Sequence, residues 1–275
     1  MNSTEADHYI ARLNAMAEHR SVPFSDGHVM RWRVFGSGDP LVLFHGGHGS
    51  WLHWIRNIED LARDYQVFVP DLPGFGDSDD PPADADIPLI ADTVMASLNA
   101  LLGSECAVDL AGFSFGAVVG ARIAVKRGAV RRLALLGSPG SGTPSRRRAQ
   151  MIRWRNAEAA AQDAALRHNL LAHMMFAASN ADALAFRADV DALKATRYRS
   201  HGAAHEVMLQ EILAPYTEPV LFLYGEHDVI CTPAMAKHSL TNAAVQRECR
   251  VIPGGGHWIQ FERANEVNEE LAQWF

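Results

Sequence analysis

The chain has 275 residues, 48% of them hydrophobic, and a formal charge of −7 from 25 basic and 32 acidic side chains. A chain of this length buries about 75% of the surface its unfolded form exposes, so its core needs no disulfide or metal, and Cys106, Cys231 and Cys249, odd in number and far apart, imply no disulfide framework and fit a reducing, cytoplasmic compartment. The acidic balance excludes a general nucleic-acid binder, which needs a basic stripe, and no apolar run has the ~18 residues of a membrane span or the form of a signal peptide.

In chain order, residues 1–20 read as a polar amphipathic helix, with Tyr9, Ile10, Leu13 and Met16 roughly on one face. Residues 29–35 alternate apolar and polar side chains, as a half-buried strand does. The short apolar run 41–44 reads as a buried strand, and 54–65 has helical spacing through Ile55, Ile58 and Leu61. A strand at 67–70 and a loop at 79–86, containing Pro81 and Pro82, lead to a strong helix pattern at 87–102. A strand at 107–112, a helix at 115–126 and a strand at 133–136 follow. Short apolar strands separated by helices predict a parallel sheet covered on both faces.

The pattern breaks at the Ser/Gly/Pro-rich stretch 137–144. Residues 143–215, dominated by Ala, Leu, Met, Arg and Gln, read as entirely helical. Alternation resumes with a strand at 220–224, a helix at 233–243, a strand at 250–252 and a helix at 265–275. The expectation is one sheet-based core, 1–142 and 216–275, interrupted by a helical insertion at 143–215.

Gly112-Phe113-Ser114-Phe115-Gly116 falls at a predicted strand-to-helix junction. This G-x-S-x-G pattern resembles the nucleophile elbow of the α/β-hydrolase superfamily. The resemblance implies a serine held in a strained turn, its hydroxyl lifted above the sheet and a helix N-terminus aimed at it, with glycines where bulkier neighbours would clash. That resemblance covers roughly 29–137 and 218–275, implies an α/β fold with a mostly parallel sheet, and makes the insertion its helical cap.

Carried onto this sequence, the resemblance makes Ser114 the nucleophile. A serine hydroxyl needs a base, and His257, in Pro253-Gly254-Gly255-Gly256-His257-Trp258, follows the last strand on a glycine-rich loop that can reach over the sheet. The base needs an anion to orient it. Asp228 follows a strand in Tyr224-Gly225-Glu226-His227-Asp228, and the order Ser, Asp, His is that of the superfamily. Glu226 is the alternative acid, and His227 reads as a loop residue. In Leu43-Phe44-His45-Gly46-Gly47-His48-Gly49 the resemblance assigns one oxyanion-hole amide to Gly47 and the other to Phe115. His45 reads as structural, as does the turn from Asp71 to Ser78, and His48 is a candidate for the pocket wall.

The nucleophile is Ser114 where dehalogenases and epoxide hydrolases of the superfamily carry aspartate. The run His257-Trp258-Ile259-Gln260-Phe261-Glu262, with Ala264 and Asn265, is similar to the C-terminal signature of meta-cleavage-product hydrolases, which split a carbon–carbon bond in dienoic diketo acids. That similarity places Trp258 in the substrate pocket. Phe113, also a pocket candidate, departs from the pattern, since those enzymes often carry asparagine there. They also hold the substrate carboxylate with a cap arginine, for which Arg187, Arg197 and Arg199 are candidates by position, a solvated helix face being the plainer reading. Met174, Met175, Phe176, Trp154 and Phe186 suggest an apolar pocket or simple packing of the cap.

No cofactor or metal is expected. His201 and His205, spaced i, i+4, lack a fuller ligand set; Arg146, Arg147 and Arg148 read as a solvated run; and residues 137–142 lack the lysine and spacing of a phosphate loop. The expected function is hydrolysis of a small carbonyl substrate, a carboxylic ester or the carbon–carbon bond of a diketo acid. A ligand-binding module and an acyltransferase or perhydrolase on the same fold are the alternatives.

Overall fold

The structure, a computed structural model, describes residues 1–25, 27–140, 149–199, 208–230, 232–241 and 245–275. Eight strands form one sheet in the order β1-β2-β4-β3-β5-β6-β7-β8. They are β1 (Glu18–Ser25), β2 (His28–Phe35), β3 (Asp39–Phe44), β4 (Tyr65–Pro70), β5 (Val108–Phe113), β6 (Val130–Leu136), β7 (Val220–Gly225) and β8 (Arg247–Ile252). The β1/β2 and β2/β4 pairs are antiparallel and the remaining neighbours parallel.

Both faces of the central strands are buried, which is why their sequences are nearly continuous apolar runs. In β7, Val220, Phe222 and Tyr224 enter one core cluster and Leu221 and Leu223 the other. The first cluster lies under α3 (Ile87–Leu102) and α4 (Phe115–Arg127). The second lies under α1 (Ser3–Met16), the segment around α2 (Ile58–Leu61) and the C-terminal α10 (Ala264–Trp274).

Two segments of the N-terminal half depart from the sequence expectation. The first helix ends at Met16, and residues 18–25 pair as β1 along an edge of the sheet. Only Val22 of that strand is buried, so an edge strand facing water shows no apolar alternation. The helix expected at 54–65 is instead a 3₁₀ turn at Trp51–Trp54, the single turn α2, and the start of β4 at Tyr65. Trp54, Ile55, Ile58 and Leu61 are all buried; their spacing reports burial rather than a continuous helix.

Between β6 and β7 the described residues contain no strand. An irregular stretch, 149–158, leads to α5 (Ala159–Asn169), a π turn at Leu170–Met174, α6 (Ala183–Ala195) and α7 (Leu209–Ile212). Asn169 pins the irregular stretch, accepting from the Ile152 amide and donating to its carbonyl, both at 2.8 Å. Leu170, Met174, Leu184, Ala185 and Ala188 join the second core cluster beside Trp51, Leu52 and Phe113, so the insertion rests on the sheet's C-terminal edge. The last part of the chain adds α8 (Pro233–Leu240) and α9 (Ile259–Glu262). The arginine run at 146–148, His201 and His205 lie outside the described residues.

Candidate active site

The parallel strands β3, β5, β7 and β8 all end at one edge of the sheet, and the four segments singled out in the sequence follow those ends. Ser114 stands between β5 and α4 at φ 52°, ψ −113°. This left-handed conformation is unusual for a non-glycine residue, and its strain is held by the surrounding packing. The Ser114 amide donates to the Leu136 carbonyl of β6 at 2.9 Å, and its carbonyl accepts from Ala117 in the first turn of α4. A Cβ on Gly112 would lie 2.4 Å from the Gly116 carbonyl oxygen, and one on Gly116 would lie 2.4 Å from the carbonyl oxygen of His45. Both glycines of the motif are therefore steric requirements of this turn.

The Ser114 Oγ lies 3.0 Å from Nε2 of His257. On the other side of the ring, Nδ1 lies 3.0 and 3.1 Å from the two carboxylate oxygens of Asp228. A carboxylate accepts, so Nδ1 carries the hydrogen and Nε2 accepts from the serine hydroxyl; the partners assign this tautomer. His257 and Asp228 are buried, and Asp228 Oδ1 also accepts from the Ile230 amide at 2.7 Å. Glu226 sits apart from the ring: its carboxylate accepts from the Gly254 amide at 2.9 Å and its side chain is exposed. His227 stacks on Phe176 at 3.5 Å.

One residue of this arrangement escapes the sequence reading. Gly137, directly after β6, has φ 53°, and a Cβ there would lie 3.0 Å from His257 Nδ1 and 3.2 Å from Asp228 Oδ2. It clears the space in which the imidazole and carboxylate meet. Glu262 is another. Its buried carboxylate accepts from the amides of Gly256 at 2.7 Å, Phe176 at 3.0 Å and Ala177 at 2.7 Å, and the Trp258 amide donates to the Met174 carbonyl at 2.7 Å. The loop carrying His257 is thus bonded to the insertion on both sides of the imidazole.

The loop after β3 turns on two buried histidines. His45 receives the Leu72 amide on Nε2 at 2.9 Å and donates from Nδ1 to the Gly46 carbonyl at 2.8 Å. His53 receives the Gly46 amide on Nδ1 at 3.1 Å, and its carbonyl accepts from the Trp258 indole at 2.9 Å. Burial lowers the pKa of both rings, that of His53 far below the ordinary value, so both are neutral spacers. The loop leaves the amides of Gly47 and Phe115 without a hydrogen-bond partner among the described residues, and His48 has the left-handed φ of 58°.

A cavity of about 50 Å³ opens beside Gly47 and is lined by His48, His53, His173, Met174, Asp189 and Leu193 among others. His48 borders it. Phe113 and Trp258 are buried and do not line this cavity. The Phe113 ring packs 4.9 Å from that of His257, and Trp258 packs 5.0 Å from His53 and 4.4 Å from Phe261. They support the site from behind, because the indole N–H finds its acceptor in the core rather than at the pocket surface. The three arginines also lie elsewhere. Arg187 bridges Asp7 and Asp191, Arg197 pairs with Asp80, and Arg199 is exposed beside Tyr198 in a separate surface hollow.

Asp189, on α6, faces the cavity and is 5% exposed. Burial pushes its carboxyl up from 3.8 to about 7. A carboxyl with a raised folded-state pKa keeps its proton in the folded state after the unfolded chain has lost it. Its contribution to stability therefore falls as pH rises from about 4 to about 7 and is constant beyond. Asp189→Asn keeps the shape without the ionisation, so its stability gain over the wild type should grow across that window, towards ~4 kcal/mol. Thermal melts of both proteins from pH 4 to 8 check this; a gain independent of pH removes the account.

Among the described residues no group of three or more His, Cys, Asp or Glu stands ready to hold a metal ion, and no helix is long and apolar enough to cross a membrane. A family model described as alpha/beta hydrolase fold matches residues 39–264. The chain is similar to the 2-hydroxymuconate semialdehyde hydrolase of Pseudomonas sp. (strain CF600), 28% identical over 254 residues that cover 83% of this chain and 84% of that protein. It is also similar to the dihydrolipoyllysine-residue acetyltransferase component of the acetoin cleaving system of Pseudomonas putida, 28% identical over 262 residues, 89% of this chain but only 66% of that one. Among solved structures, the esterase RhEst1 from Rhodococcus sp. ECU1013 superposes with a TM-score of 0.77 at 25% identity, covering 93% of this chain and 97% of that one.

Proposed function

Because the chain belongs to the α/β-hydrolase fold family, we propose that it is a serine hydrolase that cleaves a small carboxylic ester, with Ser114, His257 and Asp228 as its triad and residues 143–215 as its cap. The observation that carries this reading is the continuous relay from the Ser114 hydroxyl to His257 at 3.0 Å and from His257 to Asp228 at 3.0 Å.

Ser114 Oγ attacks the ester carbonyl while His257 Nε2 takes its proton, and Asp228 stabilises the imidazolium so formed. The oxygen that gains the negative charge is received by the amides of Gly47 and Phe115, each such donor contributing about 2.7–4 kcal/mol to the transition state. Collapse expels the alcohol, which takes the proton from His257 and leaves an acyl group on Ser114. Water then attacks the acyl group, His257 takes a proton from it, and the acid leaves as Ser114 regains its hydrogen. No metal or organic cofactor enters these steps.

A second reading, cleavage of a carbon–carbon bond in a meta-cleavage-type diketo acid, draws on the similarity to the semialdehyde hydrolase. The test of the common core is labelling. A fluorophosphonate probe should modify Ser114 alone, located by peptide mass spectrometry; labelling elsewhere, or none, favours a binding module on this fold. A panel of aryl esters and one dienoate substrate then separates the two reactions, and turnover of the dienoate alone would overturn the ester reading.

A further inference from the structure

Among the described residues, the cavity beside Gly47 is lined by one acidic side chain and by no lysine or arginine. Its lining includes Asp189, the imidazoles of His48 and His173, and apolar Met174 and Leu193. Asp189 accepts no hydrogen bond from any described residue, although it is 95% shielded from solvent by the 5% exposure above. A buried carboxyl without a partner costs folding free energy that an apolar residue of similar size would not. Its neighbours on α6 are bonded normally: Asp182 caps the helix through the Ala185 amide at 2.9 Å, and Asp191 pairs with Arg187 at 2.7 Å. Asp189 is the one acid of this helix turned inward.

Resting on the hydrolase reading above, we propose that Asp189 determines specificity, by holding a hydrogen-bond donor, an ammonium or a hydroxyl, at the buried end of the substrate's acyl group. The assignment to the acyl side follows from size and from the reaction. The cavity of about 50 Å³ has room for only a few non-hydrogen atoms at ~10–15 Å³ for each water-sized probe. The acyl group stays bonded to Ser114 between the two half-reactions, whereas the alcohol must depart. A terminal donor gives the carboxyl the partner the protein withholds. A terminal carboxylate would meet an acid of like charge, with Arg187, Arg197 and Arg199 all engaged or turned elsewhere. The substrate class is thus a short ester of a hydroxy or amino acid rather than of a dicarboxylic acid.

The test compares phenyl 3-aminopropionate, phenyl 3-hydroxypropionate, phenyl butyrate and monophenyl succinate, with spontaneous hydrolysis subtracted. In the wild type, kcat/KM for the amino and hydroxy esters should exceed that for the succinate ester about tenfold or more, and Asp189→Asn should reduce the amino-to-succinate ratio by about tenfold. A ratio that moves by less than about threefold in both Asp189→Asn and Asp189→Leu overturns the proposal. Binding of 3-aminopropionamide, butyramide and succinamate to the wild type, followed by saturation-transfer NMR, reads the same preference without turnover. If Ser114→Ala hydrolyses the esters as fast as the wild type, the hydrolase reading fails. The amide series then decides the role of Asp189 alone: preference for the amino compound, lost in Asp189→Asn, supports it, and equal binding of all three overturns it.

Discussion

Ser114→Ala is expected to lower turnover of a short-chain aryl ester by at least ~10³-fold, because members of a nucleophile–base–acid relay act as a unit and what remains is carbonyl polarisation by the amides. The change removes one oxygen. The elbow keeps its bonds, since the Ser114 amide and carbonyl, not its side chain, join β6 and α4, and the hydroxyl makes no cap to the helix. A loss of activity without a change in melting temperature therefore reports chemistry rather than unfolding. The measurement is kcat/KM in a preparation free of host esterases, with the fluorophosphonate signal followed in parallel. Turnover within about threefold of the wild type would remove Ser114 from the reaction.

Asp228→Asn should cost about 10⁴-fold in kcat, the scale at which an amide in place of the orienting carboxylate leaves the imidazole in the wrong tautomer. Asp228 turns both oxygens toward His257 Nδ1, Oδ2 at 3.0 Å and Oδ1 at 3.1 Å, and Oδ1 also accepts from the Ile230 amide. An asparagine whose oxygen stays on that amide turns its NH2 toward the ring, and in either orientation the ring loses the charge that stabilises its protonated form. Glu226→Gln is the matched comparison, because the same strand end supplies both acids. Glu226 is exposed and bonded to the Gly254 amide; a glutamine keeps that bond, and activity should stay within about threefold, as for surface substitutions that break no network. Steady-state kinetics on the two variants decide between the acids, and a larger loss in Glu226→Gln would reverse the assignment.

What is legible in the sequence follows from how local each constraint is. The elbow glycines, the glycine-rich loop before His257 and the position of Asp228 after β7 each mark themselves within a few residues, because tight turns at strand ends restrict which residues fit. The central strands are legible for the same reason: burial on both faces leaves only apolar side chains. The edge strand β1 is hidden because its partners lie on one side only and water on the other. Gly137 is hidden because its constraint comes from His257 and Asp228, residues far along the chain. Trp258 turns its indole inward to the carbonyl of His53, a contact that its neighbours in sequence do not announce. Asp189 sits in a helix of ordinary amphipathic composition, and nothing local distinguishes an acid turned toward a cavity from one turned toward solvent.

Glu262 couples two parts of the molecule that a mobile cover would need to keep separate. Its carboxylate grips Gly256 next to the base and the amides of Phe176 and Ala177 overhead. Lifting the roof at that corner would drag the imidazole of His257 away from the hydroxyl of Ser114. A molecule arriving from outside would therefore have to be admitted at another margin, with this corner as a fixed jamb.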